Sequence, residues 1–257
     1  MKRVSGQALN NGVIMVSDRS VILVRNKDGG ISEKIDRFSY SKNNIPVLRG
    51  IIHLLKQSKF GFGGIYFSVK NSNDKKSFFL LILLAIFYYF YPYIINTKKI
   101  FISDDYIDAI FFAMFVIFML TNKFIRNTLK YHGAEHKTVN CYEDNCELTI
   151  DNVKKYPKEH VRCGTSLMVV LILLSIFFEI IISFLSGNYK IIGYILFLPL
   201  LLGISYEVML IILKKQENIF SKLFINIGLK AQKLTTREPD YNQIEIAIEA
   251  LKKAIEK

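Results

Sequence analysis

Ser166-Leu-Met-Val-Val-Leu-Ile-Leu-Leu-Ser-Ile-Phe-Phe-Glu-Ile-Ile-Ile-Ser-Phe-Leu-Ser186 runs for 21 residues with one charged side chain, Glu179. A helix needs roughly 17–25 predominantly apolar residues to cross a bilayer, so the stretch reads as a membrane span. Three further runs share its character, at residues 78–95, 106–121 and 191–213. The run at 106–121 is the shortest, and Phe124, Ile125 and Leu129 extend it. A buried core helix accounts for any one such run, but four in two closely spaced pairs predict a membrane α-helical protein with four transmembrane helices.

Charge orients those spans. The chain carries 34 Lys and Arg against 22 Asp and Glu, a net charge of +12. Of the basic residues, 14 lie in 1–77, 8 in 122–165 and 9 from 214 onward, which leaves Lys98, Lys99 and Lys190 for the two short connections. Basic loops stay inside, so both termini and the central loop are expected in the cytoplasm, in a multi-pass protein of the cell membrane. The same charge favours the lipid bilayer and its anionic phospholipids as partners, beside other membrane proteins. No basic stripe with interleaved aromatics points to nucleic acid. More than seventy mixed residues precede the first run, so no signal peptide is expected.

The expected organisation is a cytoplasmic β unit with an amphipathic helix (1–77), a transmembrane hairpin (78–121), a cytoplasmic His/Cys loop (122–165), a second hairpin (166–213) and cytoplasmic C-terminal helices (214–257). Within 1–37, the runs 13–16, 21–24 and 31–35 alternate with turn-like clusters and predict a small antiparallel meander. Gly6-Gln-Ala8 and Asn10-Asn-Gly12 suggest backbone in unusual dihedrals. Pro46 begins a basic amphipathic helix to about Lys59, expected on the inner leaflet surface and broken by Gly61-Phe-Gly-Gly64. His53 lies within that helix and reads as a surface or packing residue rather than a ligand. Residues 141–159 read as polar loop. An interfacial helix is expected at 217–233, a break at Thr235-Thr-Arg-Glu-Pro239, and a last helix capped by Asp240 with Gln243 in the capping-box position.

The chemistry-bearing stretch is Tyr131-His-Gly-Ala-Glu-His-Lys-Thr138, on a helix that continues from 122–130. His132 and His136, four residues apart, share a helix face and suit one metal ion, with Glu135 beside them. The order His-x-x-Glu-His supplies two imidazole ligands and a carboxylate placed as general base. His160, Cys163, Cys141 and Glu143 are candidates to complete the coordination of a divalent metal, zinc by preference. Two thiolates with two imidazoles make a closed structural site; a single further ligand leaves room for a water that attacks a carbonyl or phosphoryl centre, with Glu135 taking its proton. Three cysteines, all in the central cytoplasmic loop, argue for ligands or inert thiols over a disulfide. Glu207 lies within the last run and invites a functional reading, with Arg126 and Arg162 as expected partners; Glu179, deeper in its run, does not.

Ser5-Gly-Gln-Ala8, Pro46-Val-Leu-Arg-Gly50, the histidine block, His160-x-Arg-Cys-Gly-Thr165, Ser205-Tyr-Glu207 and Thr235-Thr-Arg-Glu-Pro239 occur in that order. Together they resemble the YqhQ-like family of bacterial membrane proteins, whose function is unknown. The resemblance covers nearly the whole chain and implies a metal-dependent enzyme. Its pattern falls on His132, Glu135, His136, His160, Arg162, Cys163 and Glu207; Ser5 departs from an expected glycine, and Cys146 belongs to no block. Two functions stand as expectations. One is a zinc-type hydrolase at the cytoplasmic membrane face, acting on a membrane peptide or lipid. The other is a non-enzymatic factor for membrane-protein insertion or quality control with a structural metal, in which Glu207 and Arg162 form a polar contact point.

Overall fold

A computed structural model describes residues 2, 4–38, 45–72, 75–98, 113, 117, 118, 121–184 and 188–256. Its N-terminal unit is an antiparallel sheet in sequential order, β1 (Ser5–Leu9), β2 (Gly12–Val16), β3 (Arg19–Arg25) and β4 (Ile31–Arg37). The expected meander is thus present, with a first strand that the sequence reading took for turns. Gly6 and Gly12 are ordinary extended residues, and among the described glycines only Gly29 has a positive φ. Gly12 is required for closeness, because a Cβ there would overlap the Leu23 carbonyl across the β2–β3 pair.

The central stretches of β2 and β3, 13–16 and 21–24, are wholly apolar because both their faces are covered. Val13, Met15, Val21 and Leu23 face a core shared with α3 (Lys123–Glu143) and α8 (Tyr241–Ile255). Ile14, Val16, Ile22 and Val24 face the other way, onto Phe60, Ile65 and Phe67 of α1 (Leu48–Asn71). The sheet is therefore the middle layer of three, and the first and last parts of the chain share one core.

Helix α1 does not end at Gly61-Phe-Gly-Gly64. It continues to Asn71, because Gly61 and Gly64 let it settle against Gln7 and Ile14 of the sheet. One face of its first half packs on α6 (Asn188–Lys214), where Gly50 abuts Tyr206 and Val47 and Ile51 abut Gly203, while Leu48 and Leu55 are exposed. The rings of His53 and Tyr206 lie 5.2 Å apart, in keeping with a packing histidine.

Helix α3 is one helix through the histidine block, started by Asn122, whose side chain accepts the Phe124 and Ile125 N–H groups. It reaches Glu143, and α4 (Ile150–Lys154) comes next, so eight of the 19 residues in the expected 141–159 loop are helical. Cys163 caps α5 (Gly164–Ser183). Asn218 caps α7 (Ile219–Thr235), close to the expected interfacial helix, and the Asp240 N–H donates to Gln243 at 2.9 Å where α8 begins.

Four spans are not what the described residues show. Two stretches are long and apolar enough to cross a membrane, Gly164–Ser183 and Phe197–Lys214. Only 17% of the first and 28% of the second is buried within the protein, unlike the core helix of a soluble fold. The run at 78–95 lies within a helix, α2 (Lys75–Lys98), and the run at 106–121 falls for the most part outside the described residues. Exposed Glu179 sits on the outer side of α5.

Candidate metal centre

His132 and His136 project from α3 with ring centroids 4.3 Å apart. Each ring is oriented from behind by a backbone carbonyl. His132 Nδ1–H donates to Thr235 O at 2.7 Å, and His136 Nδ1–H donates to Lys158 O at 2.6 Å. Those bonds leave Nε2 of each ring as the unprotonated nitrogen, the arrangement by which carbonyls prepare imidazoles for a metal. Cys163 Sγ lies 3.3 Å from His132 Nε2, and the ligand atoms of His132, His136 and Cys163 all fall within 4.8 Å of one another. Two imidazole nitrogens and one sulfur are a donor set that suits zinc, and three protein ligands leave a position open. The residues present therefore fit the ion that the sequence reading expected.

Glu135 is buried on the same turn, with Oε2 3.6 Å from His136 Nε2. Burial pushes its carboxyl above the ordinary carboxylate range, against the pull of His132 and His160. Gly6 of β1 makes room for it, since a Cβ there would overlap the Glu135 side chain. Burial also pushes His136 down to about 3 and the Cys163 thiol up to about 11. The thiol is drawn the other way by the Thr165 N–H, which donates to Sγ at 3.4 Å.

The other candidates lie elsewhere. His160 is 5.9 Å from His136 between centroids, but both of its nitrogens are engaged: Nδ1 accepts the Arg162 N–H at 3.2 Å, and Nε2 lies 3.2 Å from Glu143. Glu143 pairs in addition with Arg162. Cys141 is buried in the sheet core with its thiol toward the Cys146 and Glu147 carbonyls, and burial pushes it up to about 12. It is a packing residue.

Glu207 does not meet Arg162 or Arg126. It takes both Nε (2.7 Å) and Nη2 (2.5 Å) of Arg49 and the Val47 N–H (3.2 Å). Val47 reaches it in a strained shape, φ 67 and ψ −55, with the Leu48 N–H bonded to Pro46 O at 2.7 Å. That is a γ-turn with a β-branched residue at its centre, which backbone sterics disfavour. Packing of Val47 on Gly203 and the bond to Glu207 hold it there.

Sequence reasoning missed three supports of the centre: Gly6, Gln232 and Thr235. The signal for Gln232 was present in the stripe Ser221, Gly228 and Gln232, small and uncharged residues on one face of a helix whose lysines lie on the other sides.

Residues 45–257 match the family model described as "Protein of unknown function (DUF1385)". The chain is 34% identical over 158 residues to the uncharacterized protein YqhQ of Bacillus subtilis (strain 168), covering 62% of this chain and 49% of that relative. The chain thus spans about half the length of the curated relative it matches. No solved structure matches. The family match takes in His132, Glu135, His136, Cys163 and the Arg49–Glu207 pair, and the chain belongs to the DUF1385 family.

Proposed function

We propose that this protein is a zinc-dependent hydrolase of the cell membrane, working at its cytoplasmic face on a bond in a membrane peptide or lipid. In this reading the runs at 78–95 and 106–121 add two crossings to α5 and α6, and both termini are cytoplasmic. The supporting observation is the convergence of the ligand atoms of His132, His136 and Cys163 within 4.8 Å of one another, with each ring held by a carbonyl. Cys163 is the N-cap of a candidate span, which supports a centre at the bilayer surface. His132, His136 and Cys163 would hold a zinc ion, which would supply Lewis acidity to a carbonyl or phosphoryl group. Burial raises the Glu135 carboxyl above the ordinary carboxylate range, which makes its carboxylate a stronger base for the proton of an attacking water, to be returned to the leaving atom. The Thr235 and Lys158 carbonyls keep the two rings in the tautomer the reaction needs.

The test is zinc content and turnover of the full chain in nanodiscs, on a panel of peptide and lipid-ester substrates, with complementation of a strain lacking the gene. Glu135→Gln is expected to keep one zinc per chain and lose turnover and complementation. His132→Ala with His136→Ala is expected to lose the metal. Full complementation by Glu135→Gln with its zinc retained would sink the hydrolase. That outcome would favour the second reading, a non-enzymatic insertion or quality-control factor, whose supporting observation is the Arg49–Glu207 ion pair against a candidate span.

A further inference from the structure

Helix α7 has one packed face and one exposed apolar face. One, with Ser221, Gly228 and Gln232, is buried, and Gly228 lies so close to Ser166 of α5 that a Cβ would stand 2.5 Å from its hydroxyl. On the other, Ile219, Phe220, Leu223, Ile227 and Leu234 are exposed, four of them at the spacing of a single helical stripe. Exposed Lys222, Asn226 and Lys233 run along one flank of that stripe. Residues 214–235 carry five lysines and one glutamate, Glu217, which pairs with Lys222 at 3.0 Å. Helix α7 packs along α5, whose own exposed side carries Met168, Ile172 and Phe177. An apolar stripe edged with lysines and continuous with a candidate span has the chemistry of a helix seated in an anionic bilayer surface.

The far end of the same helix builds the metal centre. The Thr235 carbonyl holds His132, and the Thr235 hydroxyl meets that of Thr165 at 3.1 Å. Gln232 is fully buried; its Oε1 accepts the His160 N–H at 2.8 Å, and its Nε2 donates to the His160 carbonyl and the Ser166 hydroxyl, each at 2.9 Å. The ring of His132 and the turn that presents Cys163 thus hang from the last turns of one rod. We propose that α7 lies in the surface of an anionic bilayer, and that this seating assembles the His132–His136–Cys163 centre through Gln232 and Thr235, which act as positioning residues. The second half rests on the metal reading of that centre.

The chain contains no tryptophan, so Phe220→Trp places a sole indole on the exposed stripe. In the full chain, in nanodiscs containing phosphatidylglycerol, its emission is expected to be blue-shifted and quenched by brominated acyl chains. Unquenched emission, or a shift that tracks protein concentration as a second copy covers the stripe, overturns bilayer seating. For the coupling, zinc affinity is measured by chelator competition in the same discs, in variants whose far-UV circular dichroism matches the parent. Leu223→Asn with Ile227→Asn is expected to weaken zinc about 10–100-fold, the range for lost second-shell support. Gln232→Leu is expected to weaken zinc similarly, to lose the thiolate charge-transfer band of the cobalt-substituted protein, and to leave the indole quenched. Unchanged zinc affinity in the stripe variant overturns the coupling. A parent chain that binds no zinc overturns both the metal reading and the coupling, and the indole then judges bilayer seating by itself.

Discussion

Gly6 shows how much a single missing side chain can specify. Its place in β1 needs no special dihedral; what it provides is the space in which the Glu135 carboxyl sits. Gly6→Ala is expected to cost about 1–3 kcal/mol through overpacking, read as a lower unfolding midpoint, and to displace Glu135. An unchanged midpoint would mean that β1 yields without penalty. Protonation gives two further tests. The Cys163 thiol, pushed up to about 11, must lose its proton to bind a metal, whereas His136, pushed down to about 3, is already neutral. Zinc affinity is therefore expected to rise about tenfold per pH unit near neutrality, and Cys163→Ser is expected to flatten that dependence. In the metal-free protein the sign for His136 runs with pH: the unfolded ring gains a proton below its ordinary 6.5 and the folded ring does not. Stability should fall as pH drops from about 6.5 toward 3 and level off below, which acid titration of the unfolding midpoint reads directly. The imidazole pair and its carboxylate were legible because a four-residue helical spacing is local. Thr235, Gln232 and Gly6 were not, since His132 and its carbonyl partner are 103 residues apart in sequence.

Among the elements, the segment Thr236–Pro239 acts as a strap across α3. The Arg237 N–H donates to the Leu129 carbonyl at 2.9 Å, Lys137 reaches Glu238 at 2.8 Å and Lys130 reaches Asp240 at 2.8 Å. Gly133 lets the strap lie this close, because a Cβ there would overlap the Arg237 carbonyl. Gly133→Ala is therefore expected to lift the strap, move the Thr235 carbonyl away from His132 and weaken zinc about 10–100-fold while α3 stays helical. Zinc affinity equal to the parent's would show that the strap is not what places Thr235. The same reasoning explains the largest misreading of secondary structure. Gly61 and Gly64 were taken as helix breakers on propensity, but contact with Gln7 and Ile14 outweighs the roughly 1 kcal/mol that each glycine costs a helix interior. The strands β2, β3 and β4 were legible from alternation and turn residues. Strand β1 was hidden by Gly6 and Ala8, small residues that serve the neighbouring helix.

For the molecule as a whole, the distribution of basic residues and the outward apolar sides of α5 and α6 make one prediction about orientation. Protease added to sealed inverted membrane vesicles should cut tags at both termini, and the same protease outside intact spheroplasts should spare both. Cleavage of either tag in spheroplasts would contradict the inside placement. The number of spans was less legible than the two candidates at Gly164–Ser183 and Phe197–Lys214, because a run such as 106–121 is short for a span and gains its length only from Phe124, Ile125 and Leu129 beyond it. Helix α1 adds a mechanical consequence. It is a single rod of 24 residues, about 36 Å long at 1.5 Å per residue, gripped at one end by Gly203 and Glu207 and at the other by the sheet. A rod held at both ends transmits angle: a rocking of about 5° at the γ-turn sweeps the opposite tip through about 3 Å. Distortion of α6 is thus delivered as leverage to the strand whose glycine accommodates the Glu135 carboxylate.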